Sequence, residues 1–190
     1  SLMLVNHLAG LAPLIAGSTE EQRSRFLPTI VEEGHIVGFA LTEPEAGSDA
    51  ASLQTRARKD GKGYRLTGTK CFITNGGAAK VFVLFATRDP ALKKKGITAY
   101  LVEEENPGAR IGKKEDKMGM RASPTTELIL EDAFVPEEAR IGGEGEGWGL
   151  LIEGLSPILI TPATEFEGDA DSWQDVIPGW WAEAYVLLND

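Results

Sequence analysis

Cysteine, histidine and long apolar runs are what this 190-residue sequence has least of, and each scarcity removes a class of function. A single cysteine, Cys71, cannot form an internal disulfide, which suits a reducing compartment. Its place inside a strand-like apolar run marks a buried, inert thiol rather than a nucleophile. The two histidines, His7 and His35, have no thiol or carboxylate at ligand spacing, so no metal site is expected. No apolar run is long enough to cross a bilayer as a helix, and no cationic N-terminus precedes an apolar segment. Neither a membrane span nor a signal peptide is therefore expected, and a soluble intracellular chain is the default reading.

Basic residues are absent from the last fifty positions. All 19 Lys and Arg fall between Arg23 and Arg140, and the 19 Asp and Glu of residues 1–140 balance them, so the net charge of −10 belongs wholly to residues 141–190. A neutral body without a basic stripe argues against nucleic acid as a partner. The one local basic run, Lys93-Lys94-Lys95, reads as a solvated hairpin tip ahead of Gly96. The length allows one domain with appendages, and no internal repeat is present.

Residues 2–15 are apolar with few polar breaks and predict a buried helix, interrupted near Gly10 or Pro13. Ser18-Thr19-Glu20-Glu21 has the form of a capping box with Ser18 at the N-cap, opening a second helix. In that helix Phe26, Leu27, Ile30 and Val31 recur at helical spacing, Pro28 should kink it or restart it, and Gly34 should end it. From His35 to Arg140 the signal changes to short strands separated by turn residues. Strands are expected over 53–59 and 64–68, with Asp60-Gly61-Lys62-Gly63 as the hairpin turn, and over 81–86, 97–103 and 125–135. The run over 81–86 is continuously apolar, as a strand covered on both faces would be. The fold class is mainly β with N-terminal helices.

Two stretches stand out. Residues 39–49 run Phe-Ala-Leu-Thr-Glu-Pro-Glu-Ala-Gly-Ser-Asp, and residues 70–77 run Lys-Cys-Phe-Ile-Thr-Asn-Gly-Gly. Each begins as a β-prone run that would bury itself and ends in hydroxyl, amide and glycine groups able to face a planar polar ligand. Thr42 and Ser48 offer hydroxyls, and Gly47 allows close backbone approach. Pro44 cannot donate to a ladder and biases Glu43 toward an extended conformation, so the strand beginning near His35 should stop by Glu43. An ordinary strand-to-loop exit would carry the same residues.

In order and spacing, the two stretches resemble the signatures of the acyl-CoA dehydrogenase family. The resemblance continues through Lys95-Gly96-Ile97, Gly112 to Ser123, Thr126-Glu127-Leu128, Val135-Pro136 and Gly142-x-Glu144-Gly145-x-Gly147. It implies a middle β-domain, a barrel or pair of packed antiparallel sheets, over 35–150, preceded by the end of a helical domain over 1–34. The implied cofactor is FAD, with Phe39, Leu41, Thr42, Gly47 and Ser48 lining it and Phe72, Ile73 and Thr74 flanking the ring. Thr42 would bond the pyrimidine edge, and the Thr74 hydroxyl would lie near the redox nitrogen. Ser48 also matches the position that touches the acyl-CoA thioester arm. Full-length relatives are expected to form homo-oligomers, usually tetramers, pass electrons to an electron-transfer flavoprotein, and work in the bacterial cytoplasm or the mitochondrial matrix.

Past Gly147 the resemblance fades. Leu155-Ser156-Pro157-Ile158 occupies the place where some members carry the catalytic base, and two prolines stand where a long helix should start. The acidic stretch 151–190 is expected to be non-homologous and irregular, and the chain a fragment without a catalytic residue of its own. Glu43 and Glu45 read as solvated loop acids. Weak FAD retention and an exposed apolar surface follow from the same expectation. Two rival readings are an acyl-CoA oxidase of the same fold and a non-catalytic binding or assembly module.

Overall fold

A computed structural model describes residues 2–159. Three α-helices, α1 (Leu2–Gly17), α2 (Glu20–Glu32) and α3 (Gly147–Leu159), flank eight strands. The strands are β1 (Ile36–Ala40), β2 (Arg56–Asp60), β3 (Gly63–Thr74), β4 (Ala79–Thr87), β5 (Ile97–Glu103), β6 (Ala109–Lys114), β7 (Thr125–Pro136) and β8 (Arg140–Ile141). The expectations for residues 160–190 lie outside the described residues.

The helices differ from their sequence reading in instructive ways. α1 is continuous through Pro13, and Gly10 serves packing rather than interruption: a Cβ there would lie 2.6 Å from Cγ1 of Val37 on β1. The cap of α2 is Thr19, one residue later than expected. Its hydroxyl accepts from the Gln22 N–H at 3.2 Å, and Gln22 Oε1 accepts from the Thr19 N–H at 2.8 Å. Ser18 instead continues the end of α1, donating its N–H to the Leu14 carbonyl. α2 is also continuous through Pro28, with no restart there. Pro28 and Ser24, whose carbonyl loses its partner, are both on the exposed face, where water can satisfy it. Gly34 does end the segment, at φ 72°. α3 likewise extends past Pro157 to Leu159, where a helix was not expected.

The Gln22 amide also donates to the Glu138 and Arg140 carbonyls at 2.7 and 2.8 Å, tying α2 to the strand end beside it. Replacing Thr19 with Ala is expected to cost about 1 kcal/mol, the usual worth of an N-cap. Thermal unfolding of the variant measures it.

The strands form one sheet in the order β6-β7-β3-β2-β4-β5-β8, with β1 added in parallel to β4. β2 joins β4 through the single pair Arg56↔Thr87, so β1-β4-β5-β8 and β2-β3-β7-β6 are two halves linked at one point. One buried cluster draws Leu66, Leu128 and Leu130 from one half and Phe82, Leu84 and Val102 from the other. The sheet is therefore folded over a shared core without closing into a barrel, and the β1–β4 and β2–β4 contacts are parallel within an otherwise antiparallel ladder. The expected hairpin is present: Asp60 pairs with Gly63, and Gly61 at φ 58° makes the two-residue turn.

β4 is buried along nearly its whole length because both its faces are covered. Phe82, Leu84 and Ala86 belong to the shared core. Phe85 packs edge-on against Phe39 of β1 at 5.2 Å, on the side where α1 lies. His7 of α1 accepts the Val37 N–H through Nδ1 at 3.1 Å, a role open only to the neutral ring, and burial lowers its pKa in the same sense. The basic run joins the antiparallel strands β4 and β5 with Lys93 and Lys95 exposed, as expected of a solvated tip, and only Lys94 departs from that reading. The run lies in a 3-10 segment, Pro90–Gly96, and the half-buried Lys94 places its ammonium 4.7 Å from the centre of the Trp148 ring.

Candidate functional site

The first signature stretch leaves the sheet at the end of β1. Pro44 and Glu45 form an exposed turn, closed by paired hydrogen bonds between Glu43 and Ala46 at 3.0 and 3.2 Å. Proline at this point stops the ladder, as the sequence requires. Gly47, Ser48 and Asp49 follow on the exposed side, and a Cβ at Gly47 would meet open space.

The second stretch ends β3 with a bulge. Lys70 pairs with Leu128 and Ile73 with Thr126, so two residues of β3, Cys71 and Phe72, stand opposite one of β7. The extra residue lets Lys70 and Ile73 both face inward, 0 and 2% exposed, and throws Phe72 outward at 59%. Phe72 holds φ at 55°, an uncommon value for an aromatic residue. Beyond Thr74, Asn75 turns the chain at φ 67°, donates its N–H to the Pro124 carbonyl at 2.8 Å and accepts from Ala78 and Ala79. Gly76 is fixed by contact: a Cβ there would fall 2.0 Å from the Thr126 hydroxyl.

Three bonds bring the stretches together. The Cys71 N–H donates to the Thr42 carbonyl at 2.9 Å. The Lys70 ammonium donates to the Leu41 carbonyl at 3.0 Å and to Glu43 Oε1 at 2.7 Å. The Glu43 carboxylate also accepts the Gln54 and Thr55 N–H groups. Glu43 is thus no solvated loop acid: its side chain is 3% exposed and that of Lys70 0%. Glu45 is exposed, as expected.

Burial would raise the Glu43 pKa, but the Lys70 charge and the hydrogen bonds from Lys70, Thr55 and Gln54 outweigh it, and the carboxyl sits below its ordinary range. For Lys70 burial wins, and its pKa is pulled down to about 8 despite Glu43. Burial also pushes the Cys71 thiol up, with neighbouring carboxylates adding to it, which suits an unreactive side chain.

Of the residues singled out from sequence, Thr42 and Thr74 are half-buried near the joined strand ends, and Phe72 offers an open ring face beside them. Ile73, Leu41 and Phe39 are buried at 2, 7 and 8% and support this surface from within. Gly47 and Ser48 stay on the exposed loop. Met118 and Met120, at 97 and 60% exposed, lie on the loop that leads into β7 at the same end of β3. Sequence reasoning missed the Glu43–Lys70 pair, because a separation of 27 positions gives no sign that the two carry opposite halves of one contact. Among the described residues no cluster of His, Cys, Asp and Glu could hold a metal ion, and no helix is long and apolar enough to cross a membrane.

The sequence profile of the "Acyl-CoA dehydrogenase, middle domain" matches residues 38–133. An acyl-CoA dehydrogenase of Bacillus subtilis (strain 168) is 41% identical over 171 residues, 90% of this chain and 45% of the relative. Relatives of this kind include mitochondrial proteins as well, among them a short-chain specific acyl-CoA dehydrogenase of Bos taurus. In three dimensions the chain is similar to butyryl-CoA dehydrogenase from Megasphaera elsdenii, with a TM-score of 0.79 and 42% identity over 82% of this chain and 41% of that one. It is also similar to PigA, solved with FAD and proline, with a TM-score of 0.78 and 33% identity over 82% of this chain and 41% of PigA. The chain spans about half the length of the curated relatives it matches. The signature stretches, the two-halved sheet and the profile match agree, and the chain belongs to the acyl-CoA dehydrogenase family.

Proposed function

We propose that residues 35–150 form the FAD-binding middle domain of an acyl-CoA dehydrogenase, and residues 1–34 the end of a preceding helical domain. The observation that carries this reading is the 2.9 Å bond from the Cys71 N–H to the Thr42 carbonyl, which sets the two polar strand ends side by side with Phe72 turned outward. The surface fits a flavin in kind. An exposed aromatic face suits a planar ring, and half-buried hydroxyls at Thr42 and Thr74 suit its polar edge.

When bound, FAD supplies the acceptor for the hydride that leaves an acyl thioester. The chain's own residues orient and stabilise. Thr42 and Thr74 would offer hydroxyl donors to an edge that gains negative charge, Phe72 would exclude water from one side with the buried Ile73 supporting it from within, and Gly47 would leave room for the thioester arm at Ser48. Glu43 is unsuited to proton abstraction, since Lys70 and two backbone N–H groups already occupy its oxygens and hold it ionised. On this reading the substrate class is acyl-CoA thioesters and the electron acceptor an electron-transfer flavoprotein. Homo-oligomeric assembly and a place in the bacterial cytoplasm or mitochondrial matrix belong to the same reading.

FAD titrated into isotope-labelled chain is expected to shift the amides of Thr42, Phe72 and Thr74 and to spare those of Arg110 and Glu131. Thr42→Ala and Thr74→Val should each weaken binding about 2- to 12-fold, the worth of one hydrogen bond. Shifts confined to other strands would overturn the assignment.

A further inference from the structure

We propose that Glu43 and Lys70 are positioning residues that fix the flavin face by locking its two halves in register. The proposal rests on the flavin reading above and extends it to residues that touch no ligand.

The geometry is unusually complete for two segments 27 residues apart in the chain. The carbonyls of Leu41 and Thr42 and the carboxylate of Glu43 are three consecutive groups of the first stretch. They are held by the ammonium of Lys70 and the N–H of Cys71, two consecutive residues of the second. Thr42 therefore lies between the two points gripped by Lys70, and Phe72 follows directly on the gripping residues. The backbone that carries the Thr42 hydroxyl and the Phe72 ring cannot shift far without breaking one of these bonds.

The bulge gives the pair a second task. Without an extra residue β3 would alternate strictly, and Lys70 and Phe72 would point to the same face. The bulge separates them, so that Lys70 points into the core and Phe72 out of it. A lysine ammonium can occupy such a position only where a counter-charge meets it, and Glu43 is that charge. The Glu43 carboxylate also takes the N–H groups of Gln54 and Thr55, tying the chain after the first stretch into the same knot.

The test uses the full 190-residue chain and the variants Lys70→Met and Glu43→Gln. In the protein without FAD, both variants are expected to speed exchange of the Cys71 amide at least tenfold relative to the amides of Leu84 and Leu101 in the β4–β5 ladder. With FAD, they should lower affinity at least tenfold and shift the visible flavin bands of whatever complex remains, well below the unfolding temperature of each variant. Wild-type protection at Cys71 in a folded Lys70→Met variant would overturn the proposal. So would faster Cys71 exchange with unaltered FAD affinity and spectrum. If the wild-type chain fails to bind FAD at all, the flavin reading falls, and with it the ligand half of the proposal, while the exchange result still decides whether the pair sets the register. Should both variants fail to fold, exchange in the wild-type chain decides: Gln54, Thr55 and Cys71 opening together supports the knot, and independent opening refutes it.

Discussion

Lys70→Met is expected to destabilise the chain by about 3–5 kcal/mol at pH 7, because it leaves the Glu43 carboxylate buried without its counter-charge. Methionine retains most of the side-chain volume, so the loss reports the charge and its bonds rather than a cavity. The double variant Lys70→Met with Glu43→Gln removes both charges, while the glutamine oxygen can still accept from the Thr55 N–H. It is expected to be more stable than the sum of the single losses by at least about 1 kcal/mol. Urea unfolding with an unchanged denaturant slope measures both quantities. A single-variant loss under about 1 kcal/mol would show that the pair is not held as described.

The pH dependence follows from the two directions. Glu43 titrates below its ordinary 4.5 when folded, so its contribution is fully present above 4.5 and is lost as pH falls through the lower folded value. Lys70 titrates at about 8 when folded against 10.5 when unfolded. The unfolded chain then binds the extra proton between those values, and this residue's contribution to stability rises from pH 8 to 10.5. The gap between wild type and Lys70→Met should therefore widen over that alkaline window. The acid limb should be shallower in Glu43→Gln than in wild type.

Phe82→Ala is expected to cost about 3–5 kcal/mol, since the ring is 1% exposed in the core shared by both halves of the sheet. Its neighbour supplies a sharper test of packing. A Cβ added at Gly38, next to Phe39 in the signature strand, would fall 2.5 Å from Cδ1 and 2.8 Å from Cε1 of the Phe82 ring. Gly38→Ala alone should cost about 1–3 kcal/mol by overpacking. In the Phe82→Ala background the ring is gone, and the same substitution should cost less than about 0.5 kcal/mol, a favourable coupling of at least about 1 kcal/mol. Simple additivity of the two losses would mean that β1 and β4 do not meet through this contact.

Much of the scaffold was legible because it depends on local chemistry. The run over 81–86 reads as a strand from its unbroken apolar composition, and both its faces are covered. The turn at residues 60–63 reads from its glycines, and Gly61 takes the positive φ that such a turn needs. Proline misled the reading of all three helices, because an interior proline removes one hydrogen bond and tertiary packing can outweigh that loss. The cap of α2 slipped by one residue because both Ser18 and Thr19 can accept a helix N–H, and only the path of α1 decided between them.

The amino-acid order by itself determined the family, the β-rich middle and the polar strand ends, since these follow from residue types at short spacing. Only the tertiary structure decided that Glu43 is buried, that Lys70 meets it, and that Phe72 faces outward. Those outcomes depend on a bulge that shifts one strand's alternation by a residue, and on a charge whose partner is chosen by sheet pairing across 27 positions.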